Sequence, residues 1–319
     1  PPMSDRPSMP DDDRPAGAPT PSDQSAGDAY PHADRDYQAG PSAPSIQQID
    51  ELRVACSLPG PLFRVLEAIR DERSTKFTVA RAVEQDPDLA ERVLKAANSP
   101  LYLTYEDKLG EAGAGITNLP TAVLRIGLSA IRNLAYTQGI CHLAGDSGEL
   151  GMRLLAHLLV VGEISWSLGN RVNRPFAEDA YLAGLLHDFG KVVLLKNLPE
   201  DYRTIAAWCR RQRRPALEVE EETFRETQPF LLNHVKTALE LMRAHYMPQG
   251  VLFTVEHHHD PLILNLHGSN PRHLTATVIT ANQLAYALGM GDGFGAPAEG
   301  YLALEKLAEF YTTPGVFDE

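Results

Sequence analysis

Tyr181-Leu-Ala-Gly-Leu-Leu-His-Asp-Phe-Gly-Lys-Val-Val-Leu-Leu195 is an apolar run interrupted by His187 and Asp188, side by side. Its pattern predicts a largely buried helix over 177–195. Two adjacent metal-competent side chains in such a segment need partners, because an unpaired buried polar group is costly. The helical signature extends in both directions. From Ile46 onward, apolar residues recur at three- and four-residue spacing and strand-like alternation is scarce. Helices are predicted over 46–55, 61–71, 76–85, 88–98, 119–126, 128–141, 149–170, 177–195, 199–212, 216–225, 230–245, 249–259, 271–289 and 300–310. Prolines such as Pro87, Pro120, Pro175, Pro199 and Pro248 fall at the starts and stops of these segments. The predicted fold class is all-α, and no fixed-period repeat points to a solenoid.

Residues 1–45 read differently. They contain no Leu, Ile, Val or Phe, yet hold 10 of the 24 prolines. Such a segment cannot bury enough apolar surface to offset its ordering entropy, so a disordered, Pro-rich acidic tail is expected. It contributes −5 of the net charge of −13, and the remaining chain is still −8. That balance argues against broad nucleic-acid affinity, which needs a cationic footprint. No apolar signal-peptide core and no membrane-spanning run occur. Cys56, Cys141 and Cys209 are widely spaced and form no CxxC pair, so each is expected to be a small buried hydrophobe. A cytoplasmic location is the resulting expectation. A softer break at 142–150 divides an N-terminal helical lobe, 46–145, from a second lobe, 146–290, with a C-terminal extension, 291–319, holding a short helix. His142 is the only histidine between the tail and residue 150.

The other histidines fall on apolar segments. His157 lies in Leu154-Leu-Ala-His-Leu-Leu-Val-Val161, and His234 opens His234-Val-Lys-Thr-Ala-Leu-Glu-Leu-Met242. His257, His258 and His259 close a later helix before Asp260-Pro261, and Asn282 sits in Val278-Ile-Thr-Ala-Asn-Gln-Leu-Ala285. If these helices pack around one axis, their polar groups converge in the bundle core, as metal sites in helical bundles do. A single histidine on an apolar helix more often bonds a backbone carbonyl; five such positions in one lobe favour convergence.

His157, then His187-Asp188 followed by Gly190 and Lys191, resembles the H…HD…D signature of the HD superfamily of metal-dependent phosphohydrolases. His234 and His258-His259 resemble the additional ligands of its HD-GYP branch, with His257 leaving the register open by one. The match to the HDOD family is closer. Ser57-Leu-Pro-Gly-Pro-Leu62 resembles its proline-rich opening, and Gln85-Asp-Pro-Asp-Leu-Ala-Glu-Arg-Val-Leu-Lys-Ala-Ala-Asn-Ser99 its most recognisable stretch. Ile126-Gly127, Ile131-Arg-Asn-Leu134, His258-His-Asp-Pro261 and Ala281-Asn-Gln-Leu-Ala285 resemble later signatures, so the likeness covers roughly 50–290.

The resemblance implies a multi-helix HD-like bundle preceded by a smaller helical lobe. Its ligand set would be His157, His187, Asp188, His234, His258, His259 and Asn282, with Lys191 near a substrate phosphate; the alternative for Lys191 is a stem lying along the bundle edge. Asn282 stands where HD phosphohydrolases place an Asp, which removes one negative charge from a divalent cation's shell. The HD-GYP substrate loop is also missing. HDOD domains are regarded as non-catalytic, bacterial-type signalling modules. The resemblance therefore implies a regulatory protein with no enzymatic turnover, working through contacts with separate signalling proteins. Its degenerate cluster either holds a divalent metal, which the sequence does not distinguish among Fe, Mn, Zn, Ni and Mg, or leaves its histidines bonded to one another and to the backbone. Two alternatives stand beside this: a phosphohydrolase acting on a nucleotide or cyclic dinucleotide, and a nucleotide sensor without turnover.

Further expectations concern single residues. Arg210-Arg-Gln-Arg-Arg214 is read as a solvated helix end and Glu220-Glu-Glu222 as a solvated face. Asp86 and Asn98 are read as helix-end residues that act through stability. In a metal-free cluster, Asp188 should hold at least one neighbouring imidazole protonated, with its pKa raised.

Overall fold

The computed structural model describes residues 60–102, 115–225, 233–243, 247–260 and 270–295. These all lie in one compact unit. The predicted tail and the predicted helices over 46–55 and 300–310 lie outside them, as does Cys56.

The described residues are helical, with no strand among them. Helices α1 (Gly60–Arg70), α2 (Lys76–Val83), α3 (Pro87–Ala97) and α4 (Leu119–Ile126) come first, with a 3-10 turn at Pro100–Tyr102. Their starts follow from local chemistry. The Asp86 carboxylate caps α3 by accepting from Leu89 N at 3.0 Å, with Pro87 at the first helical position. Asn118 caps α4 through Thr121 N, and Thr75 caps α2 reciprocally with Thr78. Leu62, Val65, Val79, Val83, Leu89, Val93 and Val123 then close one apolar core.

Helix α5 (Leu128–Ala144) is shared. Its Ala130, Ile131 and Ala135 complete that first core, while Tyr136, Ile140 and Leu143 enter a second, larger one. The second core is built by α6 (Gly148–Gly169), α7 (Arg174–Leu186), α8 (Phe189–Asn197), α9 (Pro199–Gln212), α10 (Ala216–Thr223), α11 (His234–Arg243), α12 (Gln249–His257) and α13 (Asn270–Ala287). Polar contacts join the two parts. Arg132 pairs with Asp179 at 2.8 Å, and the Asn133 amide donates to both the backbone and the carboxylate of Glu178. Asn98 acts within the first part: its amide donates to Leu94 O and Ile116 O and its oxygen accepts from Ile116 N at 2.7 Å.

The largest difference from the sequence reading is a break. The helix predicted over 177–195 is two helices, α7 and α8, with His187 ending the first and Asp188 opening the second. Asp188 leaves helical geometry at φ −111°, ψ 16°. Both flanks are buried and apolar, so periodicity carries no mark of the break. The packing also continues past α13: Phe294 is buried in the second core, its ring 5.2 Å from that of Tyr202.

Candidate metal centre

The break places His187 and Asp188 at a corner where α6, α7, α8, α11 and α12 meet. Gly190 makes that meeting close, since a Cβ there would fall 1.8 Å from His234 O. Only glycine lets the start of α11 lie this near α8, and that brings the His234 ring to Asp188.

His157, His187, Asp188, His234 and His258 are buried, between 0 and 6% exposed, and His259 is partly buried. Asp188 is the common point. Its Oδ1 lies 3.3 Å from His234 Nε2 and 3.4 Å from His258 Nε2, and its Oδ2 lies 3.4 Å from His187 Nε2. Two groups of ligand atoms share it: Asp188 with His234, His258 and His259, and Asp188 with His157 and His187, each lying within 4.8 Å of one another. Asn282 is buried on α13, which packs against α6, α7 and α12. The register at the end of α12 is settled: His257 lies against the Phe253 ring at 4.3 Å, while His258 and His259 face the cluster.

The imidazoles are oriented by their other nitrogens. His157 Nδ1 lies 2.8 Å from Met290 O, His187 Nδ1 2.7 Å from Gly184 O, and His258 Nδ1 2.9 Å from Val255 O. A carbonyl only accepts, so each Nδ1 carries the proton, and in a neutral ring Nε2 is then a bare lone pair. These three Nε2 atoms, with Asp188 Oδ1, are buried and make no hydrogen bond. Acceptors therefore face acceptors, an arrangement that a cation satisfies.

Two residues missed by the sequence reading complete the centre. Glu220, expected on a solvated face, is fully buried. Its Oε2 accepts from His234 N at 2.9 Å and from His234 Nδ1 at 2.6 Å, while Oε1 accepts from the Tyr202 hydroxyl. Its signal was helical register: Glu220 lies four residues after buried Ala216 and four before buried Phe224. Asp292 is 1% exposed and accepts from Lys191 Nζ at 2.8 Å. No periodic pattern marks it, since it sits between Gly291 and Gly293 beyond the last described helix.

Lys191 does not lie at the bundle edge. It is 3% exposed, and its ammonium also donates to Asp188 Oδ2 at 2.7 Å. Burial pulls the Lys191 ammonium down, but the two carboxylates outweigh it and raise its pKa. Burial favours the neutral acid at Asp188, yet the Lys191 ammonium beside it holds that carboxyl well below its ordinary range. The imidazolium expected of a metal-free cluster is disfavoured at three of its histidines. Burial pushes His258 down to about 4 and lowers His157 and His259 as well. Lys191 supplies a positive charge between Asp188 and Asp292.

The residues present fit a divalent cation. Formally the centre holds Asp188, Asp292 and Glu220 against the single ammonium of Lys191, a balance of −2 with neutral imidazoles. Asp188 and the Nε2 atoms would hold the metal, and Glu220 and the three backbone carbonyls would orient the imidazoles behind it. A metal bound there supplies a Lewis acid and an acidified water.

Comparison with known proteins identifies the fold. A model of the HDOD domain matches residues 56–261. The fold is similar to that of an HDOD domain protein of unknown function from Geobacter sulfurreducens (TM-score 0.60, 22% identity, covering 84% of this chain and 88% of that one). It is also similar to a "putative phosphohydrolase" from Shewanella amazonensis SB2B (TM-score 0.57, 18% identity, 85% and 89% covered). A "putative signal transduction protein" from Marinobacter aquaeolei VT8 matches with a TM-score of 0.53 and 19% identity, over 85% of this chain and 60% of that one. In sequence, an uncharacterized protein of Treponema pallidum (strain Nichols) is 23% identical over 211 residues, 64% of this chain but only 37% of that protein's length. No helix among the described residues is long and apolar enough to cross a membrane.

Proposed function

The chain belongs to the HDOD domain family, and from that premise we propose that it is a non-catalytic regulatory module. Its HD-type centre holds a divalent metal as a structural or sensing element, and its output passes through contacts with separate signalling proteins. On this reading the lobes 46–145 and 146–290 act as one module, because α5 contributes to both cores. The observation that carries the reading is the engagement of Lys191. In a phosphohydrolase a cation beside the metal must be free to meet a phosphate. Here it is buried and taken by Asp188 and Asp292. Asn282 adds a neutral side chain where a hydrolytic site would use a carboxylate. An imidazole-dominated shell favours a first-row transition metal such as Zn, Fe or Ni over Mg.

One observation favours the second reading, a metal-dependent phosphohydrolase of nucleotides or cyclic dinucleotides. Asp188 belongs to both ligand groups, as a carboxylate bridging two metal ions would. Elemental analysis of the purified protein, with a hydrolysis screen over cyclic dinucleotides, nucleotides and an activated phosphodiester, separates the two. The regulatory reading expects stoichiometric metal without turnover. Turnover that Asp188→Asn abolishes would overturn it.

A further inference from the structure

A second concentration of charge lies outside the histidine cluster. Arg153 on α6 and Arg203 and Arg210 on α9 line one cleft of about 390 Å³, together with Leu150 and Glu149. Among the described residues three guanidiniums line this cleft against one lining carboxylate, with Glu200 beside Arg203, so the cleft is cationic on a chain whose net charge is −13. Like charges converge this way at a cost unless an anion lies between them.

Two carboxylates offset this charge only from exposed positions. Glu149 pairs with Arg153 at 2.8 Å and Glu200 with Arg203 at 2.9 Å, both within their own helices. The glutamates are 80% and 89% exposed and the arginines 61% and 45%, so both pairs are solvent-screened and readily exchanged. Arg210 is positioned differently, because its guanidinium donates to Gly293 O. Gly293 has φ +91°, a conformation that turns its segment between Leu150 and Arg153 on one side and α9 on the other. The bond to Gly293 O holds the fork of Arg210 in place.

We propose that the Arg153–Arg203–Arg210 cleft is a binding site for a polyphosphate anion, either free or as the tail of a nucleotide. Guanidinium forks match phosphate oxygens in pairs, and three of them on two helices span more than one phosphoryl group. The volume is that of a small-molecule site. The site is distinct from the histidine cluster and does not use Asp188 or its metal.

The test is calorimetric titration of the full chain at low ionic strength with inorganic pyrophosphate, a nucleoside triphosphate and the corresponding nucleoside. Saturable one-to-one binding of pyrophosphate is expected, with the triphosphate at least as tight and the nucleoside silent. Arg203→Gln and Arg153→Gln, both at exposed positions, should each weaken binding about tenfold, the effect of losing one charge-assisted hydrogen bond. Arg211→Gln, an exposed neighbour that does not line the cleft, should leave it unchanged. No saturable binding, equal binding of the nucleoside, or equal losses in Arg211→Gln and Arg203→Gln would each overturn the proposal. So would binding that Arg153→Gln and Arg203→Gln leave intact, which would place the anion at the histidine centre.

Discussion

The two cores obey different chemistry. The first, from Leu62 to Ala135, is hydrocarbon, and its large side chains such as Leu62, Leu89 and Ile131 are almost fully buried. The second surrounds a charged centre: Asp188, Lys191, Glu220 and Asp292 are buried beside His157, His187, His234 and His258. Each large aliphatic residue of the first core contributes about 1.5–3 kcal/mol by leaving water. Charges gain nothing from leaving water and persist only when every partner is in place. One core is therefore tolerant and additive, and the other is cooperative and brittle.

Removing the common partner should give the largest effect. Asp188→Ala strands Lys191 and the converging imidazoles, and breaking a buried pair this way costs about 3–5 kcal/mol. Denaturant unfolding should show that loss together with loss of metal, and chelation should lower the stability of the unmutated protein. Leu89→Ala in the first core should cost about 3 kcal/mol through its cavity and leave metal content untouched. If Asp188→Ala behaved like Leu89→Ala, the contrast between the cores would fail.

Glu220 tests how far the brittleness extends behind the ligands. Glu220→Gln keeps the shape but exchanges the charge that holds His234 Nδ1 and N. Loss of such a partner typically weakens metal binding 10–100-fold. Competition with a chelator of known affinity measures it. Unchanged affinity would make Glu220 a structural residue of α10 alone.

Acid should divide the cores as well. His258 is held down to about 4 by burial, while in the unfolded chain it returns to 6.5. Above that value both states are neutral and its contribution to stability is full. As pH falls below it the unfolded chain binds the proton first, so stability declines through the window down to about 4. The slope is about 1.4 kcal/mol per pH unit for each such site. His157 and His259 are shifted the same way and steepen it, and metal leaves in the same direction. The slope should appear in pH-dependent unfolding, and a flat stability profile between pH 6.5 and 4 would contradict it.

This division also explains what the sequence could reveal. Helices such as Leu119–Ile126 and Pro199–Gln212 fall where periodicity and proline placement put them, because their one-sided burial is written into spacing. The convergence of His157, His187 and His234 was legible for a related reason: a polar residue stands out on an apolar face. The turn at His187-Asp188 was not, since apolar residues flank it on both sides and no breaker marks it. Asp292 was invisible because a polar residue among glycines is the commonest kind of loop. Lys191 could be named but not placed, because its role depends on Asp292, 101 residues away.

Asn98 gives the smallest effect and the sharpest control. It ends α3 and ties Leu94 to Ile116, so it resembles a residue of a site in its several hydrogen bonds. Its bonds, however, are all to backbone of the first part and it is exposed, so water replaces most of what Asn98→Ala removes. The cost should be about 1 kcal/mol, within the range for losing a helix-end side chain. In a domain of this size that lowers Tm by about 2–4 °C. Metal content, the acid slope and pyrophosphate affinity should be those of the unmutated chain, because no bond of Asn98 reaches the second core. A loss of metal in Asn98→Ala at unchanged Tm would show that the hydrocarbon part transmits to the charged centre, and the two cores would have to be treated as one.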